Sequence, residues 1–407
     1  MEASKEHLSA ETVPGYLSEV PGITAHIDPH AVETVREVGD GNLNLVFIVT
    51  DSAGRRLVVK QALPYVRLVG PEWPMTVDRA RHEAEAMQTH ASLSPEHVPA
   101  LYHFDLENHV IVMEDLSDHR VWRAAMNDGE QHEGAAGDMG LFVARVAFGT
   151  SVLGMHHQEQ KHAVARSVNP ELCEITEDLV FTEPYVDAGR NSVIPANEPD
   201  ARELAEDRAM VEEIGLLKWR FMTAAQALIH GDLHTGSVFV KAADGGPRST
   251  KAFDSEFAFY GPVGFDVGAL WGNYLIAAAR AFALGDDDRA RWTLALLEET
   301  WGSFESEFRR LWPERLDPRV YSDGVLDRLI TDIQVDSAGF AAAKMARRIV
   351  GLAKNSDIET LPEELREGAA RGVLRSARAI AVERHHDAGP ERLAALAGEI
   401  LLETRTR

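Results

Sequence analysis

The chain has 407 residues, 45% of them hydrophobic, which is enough for at least one large core and exceeds the length of most single domains. Acidic residues outnumber Lys and Arg by 65 to 41, and the net charge of −24 produces a field that repels nucleic acid and anionic lipid. The single cysteine, Cys173, excludes an intrachain disulfide, and the charged N-terminal residues differ from a signal peptide, so we expect a cytoplasmic protein of two lobes.

The first part of the chain has the pattern of a small antiparallel sheet. Runs rich in β-branched residues alternate with turn signals, and the predicted strands are 32–38, 43–50, 56–61, 101–105 and 110–114. Between the third and fourth strands, the segment 77–89 places Ala80, Ala84 and Met87 on one face, which predicts an amphipathic helix.

From Leu116 onward the pattern is mainly helical. The predicted helices are 140–155, 203–227, 265–284, 288–312, 325–353 with a possible internal break, and parts of 365–404. A strand pair around Val238 and Ala252 interrupts them. We therefore predict an α+β protein with a small β-rich, nucleotide-binding N-lobe over residues 1–115 and a larger, mainly helical C-lobe over 116–407.

A glycine-rich turn between the first two strands is a candidate phosphate loop. Its backbone N–H groups could bind a phosphate, although an ordinary hairpin turn explains the same pattern. The candidate residues are Gly39, Asp40, Gly41, Asn42 and Asn44.

Lys60 ends the third predicted strand, from which its ammonium could reach the α- and β-phosphates of a nucleotide or project into solvent. Glu83 on the following helix is the first candidate for its ion-pair partner, with Glu85 as the competitor, because the two lie on different helical faces. The last residues of the fifth strand could form an interlobe hinge that reads an adenine edge, or could simply end that strand. These are Glu114, Asp115 and Leu116.

The segment 228–240, followed by 252–256, contains the strongest chemical signal. It joins an apolar run, interpreted as the end of a helix, to a loop where Asp232 could accept a hydrogen bond from an incoming hydroxyl. Asp254 and Glu256 lie two apart on a predicted strand, so both would face a divalent metal ion on one side. An isolated His-Gly-Asp could be a plain turn, but the order of the preceding motifs is typical of a kinase-like phosphotransferase.

Five segments resemble the S-methyl-5-thioribose kinases and occur in that family's order. They are 38–47, 69–75, 169–184, 229–237 and 256–266. The resemblance extends from about Thr34 to Ala353, and Ser237 distinguishes this family from aminoglycoside phosphotransferases and choline kinases, which usually carry Asn there. Ser255 departs from the family's common proline without changing the two carboxylates beside it.

The resemblance implies a two-lobed, protein-kinase-like fold and transfer of the ATP γ-phosphoryl group to the anomeric hydroxyl of 5-methylthioribose, a step of methionine salvage. It implies that Asp232 is the catalytic base or orienting carboxylate, and that Asp254 and Glu256 bind Mg²⁺ and the ATP phosphates. It also implies the phosphate loop, Lys60 and the 114–116 hinge as ATP contacts.

The same resemblance implies a substrate site containing the adjacent Arg347 and Arg348, with Trp73 in a loop that covers it, and a homodimeric assembly. Asp266 and the loop histidines are interpreted as structural rather than catalytic. Two alternatives remain open at this point: a kinase of a related 5-deoxypentose, and a nucleotide-binding pseudokinase without turnover.

Overall fold

The computed structural model describes residues 7–39, 43–65, 70, 72, 74–186, 188–243 and 246–406. The predicted contacts of Asp40, Gly41, Asn42 and Trp73 therefore lie outside the described residues. Within the described ranges, no helix combines the length and the apolar character needed to cross a membrane.

The N-terminal lobe is a five-stranded antiparallel sheet with a helix against it. After helix α1 (Val13–Glu19), its elements in chain order are β1 (Val32–Glu37), β2 (Asn44–Asp51), β3 (Arg56–Ala62), α2 (Arg79–Leu93), β4 (Leu101–Asp105) and β5 (Val110–Glu114). The strand order is β1-β2-β3-β5-β4. The buried, apolar β3 lies at the centre, whereas β1 lies at an edge and carries exposed charged side chains, which discourages further pairing there.

The larger lobe begins with β6 (Arg120–Val121) and is mainly helical. Its first helices are α3 (Trp122–Asn127), α4 (Ala135–Thr150), α5 (His157–Arg166), α6 (Pro170–Phe181), α7 (Glu198–Glu206) and α8 (Arg208–Thr223). Four short strands follow: β7 (Ala227–Ile229), β8 (Val238–Lys241), β9 (Ser249–Ala252) and β10 (Phe259–Gly261). The remaining helices are α9 (Gly264–Ala283), α10 (Asp287–Leu311), α11 (Asp323–Val350), α12 (Ser356–Glu359), α13 (Glu363–Glu383) and α14 (Pro390–Thr404).

Close packing of α9 on α11 forms the centre of this lobe. Gly264, Gly268 and Gly272 follow one face of α9, and a Cβ at Gly268 would lie 2.6 Å from the carbonyl oxygen of Ser337 on α11. The α11 backbone can approach this closely only because α9 has no side chain there. Ala341 contributes the matching small residue on α11.

The predicted two-lobed α+β architecture is confirmed, with four local corrections. The run 227–229 is a strand paired with β10, not a helix end. The helix predicted over 203–227 is two helices, because Asp207 caps α8 by accepting a hydrogen bond from the Met210 N–H at 3.0 Å. Helix α11 has no internal break, and Asp254 and Glu256 follow β9 rather than lying on a strand.

Candidate active site

The loop that carries Asp232 is fixed by one buried carboxylate and one glycine. The Asp266 carboxylate, at the start of α9, accepts hydrogen bonds from the backbone N–H groups of His230 (2.7 Å) and Gly231 (3.1 Å). Gly231 has a φ of +83°, and a Cβ there would lie 2.1 Å from the Phe257 carbonyl oxygen. The structural role predicted for Asp266 is therefore confirmed.

Asp232 lies on this loop, and the ammonium of a buried lysine contacts its carboxylate. Its Oδ1 accepts a hydrogen bond from Lys344 Nζ at 2.7 Å, and its Oδ2 lies 3.4 Å from His234 Nε2. Burial alone would raise the pKa of Asp232, but Lys344 and His234 hold that pKa well below its usual range. The side chain remains 23% exposed, so an ionised carboxylate is available to a ligand.

Lys344 was not assigned a role by the sequence analysis. It lies on α11 with only 2% of its side chain exposed, and its ammonium is 4.5 Å from the centre of the Phe265 ring. Burial, opposed by the charge of Asp232, lowers the pKa of Lys344 to about 8. The signal that could have identified it is its position three and four residues before Arg347 and Arg348, which places all three cations on neighbouring turns.

Arg347 and Arg348 are buried on the last turn of α11, at 9% and 7% exposure. Arg348 donates to the carbonyl oxygens of Ala353 and Lys354 at 3.4 and 3.5 Å. The Nε atoms of both arginines have no hydrogen-bond partner among the residues described by the structure. Burial lowers the pKa of each guanidinium. Buried donors left without acceptors are a feature that an anionic or hydroxyl-rich ligand can satisfy.

A third arginine, Arg123, which was also not predicted from the sequence, lies beside this pair. Arg123 on α3 donates to Asn273 Oδ1 at 2.7 Å and lies 3.2 Å from Asp357 Oδ2. Its charge contributes to lowering the pKa of both Arg347 and Arg348. The carboxylate of Asp357 balances part of this cationic cluster.

Three carboxylates and Lys60 gather where the two lobes meet. One oxygen each from Glu83, Asp254 and Glu256 lies within 4.8 Å of the others. Lys60 Nζ lies 2.7 Å from Glu83 and 2.5 Å from Asp254. Burial alone would lower the pKa of Lys60, but Asp254, Glu83 and Glu256 together raise it, so the ammonium stays charged.

The structure decides between the two candidate partners of Lys60. Glu83 is buried and bonded to it, whereas Glu85 lies on the exposed side of α2 and pairs with Arg81 at 3.0 Å. Lys60 itself is buried, so the alternative of a lysine projecting into solvent is wrong.

Glu256 is held by two residues of the N-terminal lobe. Asn44 Nδ2 donates to its Oε2 at 3.1 Å, and the fully buried Arg79 lies 3.3 Å from the same oxygen. Asn44, expected among the phosphate-loop contacts, thus lies on β2 with its side chain engaged by Glu256 and Arg79. Arg79 could not be singled out from the sequence, because the side chain of an arginine on an amphipathic helix is expected to face solvent.

The predicted hinge lies at the end of β5, where the lobes join. The Glu114 N–H donates to the Ala100 carbonyl at 2.9 Å, and the Glu114 carboxylate accepts from Lys251 Nζ at 3.1 Å. Asp115 lies 3.6 Å from Arg56, and Leu116 is buried. Glu114 therefore joins the N-terminal sheet to β9 through its side chain.

The sheet, the helical lobe and the carboxylates of the interlobe cleft define a phosphotransferase with a protein-kinase-like fold. The sequence profile of the phosphotransferase enzyme family matches residues 34–305. The methylthioribose kinase of Yersinia pseudotuberculosis is 42% identical over 370 residues, which cover 88% of this chain and 89% of that protein. The chain belongs to the methylthioribose kinase family.

Two further matches span nearly the whole chain. The methylthioribose kinase of Pectobacterium atrosepticum is 40% identical over 398 residues, 95% of this chain and 96% of that protein. A solved structure of a choline/ethanolamine kinase family protein from Mesorhizobium loti is 14% identical and covers 96% of this chain and 99% of its own, with a TM-score of 0.45.

Proposed function

We propose that this protein is an ATP- and Mg²⁺-dependent kinase that phosphorylates the anomeric hydroxyl of 5-methylthioribose to give 5-methylthioribose 1-phosphate. The observation that carries the substrate assignment is the identity of about 40% to methylthioribose kinases over most of both chains. In methionine salvage, this step would belong to the cytoplasm, in keeping with the single cysteine of the chain.

In this proposal Asp232 acts on the sugar. Its carboxylate accepts the hydrogen bond of the anomeric hydroxyl and orients that oxygen toward the γ-phosphorus. As the new O–P bond forms, the bond to the β,γ-bridging oxygen breaks, ADP leaves with the electron pair, and the hydroxyl proton passes to Asp232. The ionised and partly exposed state of Asp232 supports this role.

The nucleotide would lie between the lobes, against residues of both proposed domains, 1–115 and 116–407. Lys60 supplies a cation for the α- and β-phosphates, the turn at 39–44 covers them, and the 114–116 backbone reads the adenine. Asp254 and Glu256 offer the carboxylate oxygens that a hard divalent cation prefers, so this donor set fits Mg²⁺. The bound ion would neutralise charge on the β- and γ-phosphate oxygens.

The sugar would lie beside Arg347 and Arg348. Their Nε donors, which have no hydrogen-bond partner in the part of the chain that the structure describes, support contacts to sugar hydroxyls or to the transferring phosphoryl group, which is a use suited to the planar fork of arginine. The family resemblance implies that Trp73 covers the sugar site, a role that would limit ATP hydrolysis by excluding water.

We also propose a homodimer, as the family resemblance implies. An apolar stripe on α8 offers surface for such a contact, since Leu216, Trp219 and Met222 are 56%, 70% and 56% exposed. Light scattering of the wild type and of Trp219→Glu tests this assignment. A monomeric wild-type protein would contradict it.

An ADP-release assay over a panel of acceptors tests the proposed reaction. The panel contains 5-methylthioribose, 5-deoxyribose analogues, choline and an aminoglycoside, and ³¹P NMR identifies the product as a 1-phosphate. We expect the highest kcat/KM with 5-methylthioribose, and for Asp232→Asn a turnover at least about a hundredfold lower with nearly unchanged ATP affinity. A higher kcat/KM with another acceptor, or an Asp232→Asn turnover within a few-fold of wild type, would contradict the proposal.

A further inference from the structure

We propose that Lys344 is a positioning residue for Asp232, whose ammonium keeps that carboxylate ionised and turned toward the substrate. The inference rests on the proposed function in that Asp232 is taken to be the group that receives the sugar hydroxyl. It concerns a residue of α11 that lies behind the carboxylate and is separate from the twin arginines.

The geometry of the Lys344–Asp232 pair indicates that the lysine contacts the carboxylate from the protein interior. Lys344 Nζ binds Asp232 Oδ1 at 2.7 Å, while the Lys344 side chain is 2% exposed and that of Asp232 is 23% exposed. His234 Nε2 lies 3.4 Å from Asp232 Oδ2, the other oxygen of the carboxylate. The lysine therefore approaches from the buried side and leaves the exposed part of the carboxylate for a ligand.

The groups around Lys344 favour Asp232 as the acceptor of the hydrogen bond from its ammonium. From α9, the Phe265 ring faces the ammonium at 4.5 Å, and the Asp266 carboxylate is already engaged by two loop N–H groups. From its own helix, the charges of Arg347 and Arg348 disfavour the protonated lysine. Asp232 favours it, and the loop residue His234 also faces the shared carboxylate.

A purely structural role would not account for this arrangement well. The buried ammonium and the partly buried carboxylate pay a desolvation cost that their attraction roughly offsets, so such an ion pair gives little net stability compared with packed apolar groups. What Lys344 does supply is a fixed positive charge next to a carboxylate that burial would otherwise drive toward its protonated form. A protonated Asp232 could not accept the hydroxyl proton, so the charge matters for turnover.

The variants Lys344→Met and Lys344→Arg distinguish a positioning role from a purely structural one, and Lys218→Met is the control. Lys218 lies on α8 and donates to the Thr182 hydroxyl at 2.7 Å, away from the cleft. Steady-state kinetics with 5-methylthioribose and ATP are measured between about pH 6 and pH 9, a range that brackets the titration of Lys344. For Lys344→Met we expect kcat to fall at least about tenfold, with a loss that grows as the pH falls and with little change in the KM for ATP.

The arginine variant retains the charge, so we expect its acid-side pH profile to keep the wild-type shape. A Lys344→Met enzyme with kcat within about threefold of wild type, or with an equal loss at all pH values, would overturn the inference. If Lys344→Met does not fold, Lys344→Gln takes its place and is judged by the same two criteria.

A second measurement does not depend on the sugar. Protein labelled with ¹³C at aspartate carboxyl groups is titrated by NMR, and Asp232→Asn identifies the Asp232 signal. We expect this signal to titrate at higher pH in Lys344→Met than in wild type, and an unchanged titration would overturn the inference. If the wild type phosphorylates no sugar of the panel, the proposed function has failed, and this titration still decides the role of Lys344.

Discussion

Replacing Arg79 with methionine tests whether a buried guanidinium holds the cleft carboxylates in place. Arg79 is 0% exposed and donates to the carbonyl oxygens of Leu43 (2.7 Å) and Leu63 (2.8 Å) and to Asn44 Oδ1 (3.0 Å). Methionine fills most of the same volume but leaves those acceptors unsatisfied, each at about 1 kcal/mol or more. It also leaves the Glu256 carboxylate without its guanidinium, and breaking a buried ion pair costs about 3–5 kcal/mol.

Because these contributions overlap and do not simply add, we expect the free energy of unfolding to fall by at least about 4 kcal/mol in Arg79→Met, a large part of the 5–15 kcal/mol typical of folded proteins. Urea unfolding followed by circular dichroism measures the difference. Arg81→Met is the matched control, because Arg81 lies on the same helix and pairs with the half-buried Asp78 and the exposed Glu85. Its loss should cost no more than about 1 kcal/mol. Equal unfolding free energies for the two variants would refute the reasoning.

Three further predictions concern the cleft. Glu256→Gln should raise the Mg²⁺ concentration needed for half-maximal activity, and an unchanged Mg²⁺ titration would remove Glu256 from the metal site. Arg347→Lys and Arg348→Lys keep the charge but lose the planar fork, so kcat/KM for 5-methylthioribose should fall in at least one of them; near-normal values in both would show that only the charge matters. Because burial, opposed by Asp232, lowers the pKa of Lys344 to about 8, its ammonium is lost as the pH rises through that value. Above about pH 8 the turnover of wild type should therefore approach that of Lys344→Met, which lacks the ammonium at every pH, and a gap between the two that stays constant from about pH 6 to about pH 9 would argue against this assignment.

The elements with a strong periodic pattern could be predicted from the sequence. The strands over 101–105 and 110–114 agree with the structure residue for residue, and the long helices α9 and α10 differ by about one residue at their ends. Short strands next to functional loops were harder. The run Ala227–Ile229 is too short and too uniformly apolar for hydrophobic periodicity to distinguish a strand from a helix end. Its pairing with β10 identifies it as a strand.

Lys60 and Glu83 could be identified because they belong to short local motifs. Arg79 and Arg123 could not, since their relevance comes from contacts with residues distant in the chain. Lys344 is marked by its spacing from Arg347 and Arg348, but that spacing does not reveal its pairing with Asp232. The Lys344–Asp232 pair joins positions 112 residues apart. Asp254 was expected on a strand, but its φ of +67° shows that the chain turns there, a conformation that neighbouring residue types do not specify.

The glycine face of α9 has a consequence for how activity can vary. Helix α9 begins with the carboxylate that anchors the loop carrying Asp232, and α11 carries Lys344 and the arginine pair. The separation between Asp232 and these cations is thus determined by how closely two buried helices approach. A methyl group at Gly268 would press on the Ser337 carbonyl and displace α11, while every residue proposed to bind substrate kept its identity. Since transfer rates depend on alignment within fractions of an ångström, changes in activity among variants can originate in the core, at positions that no comparison of binding residues would single out.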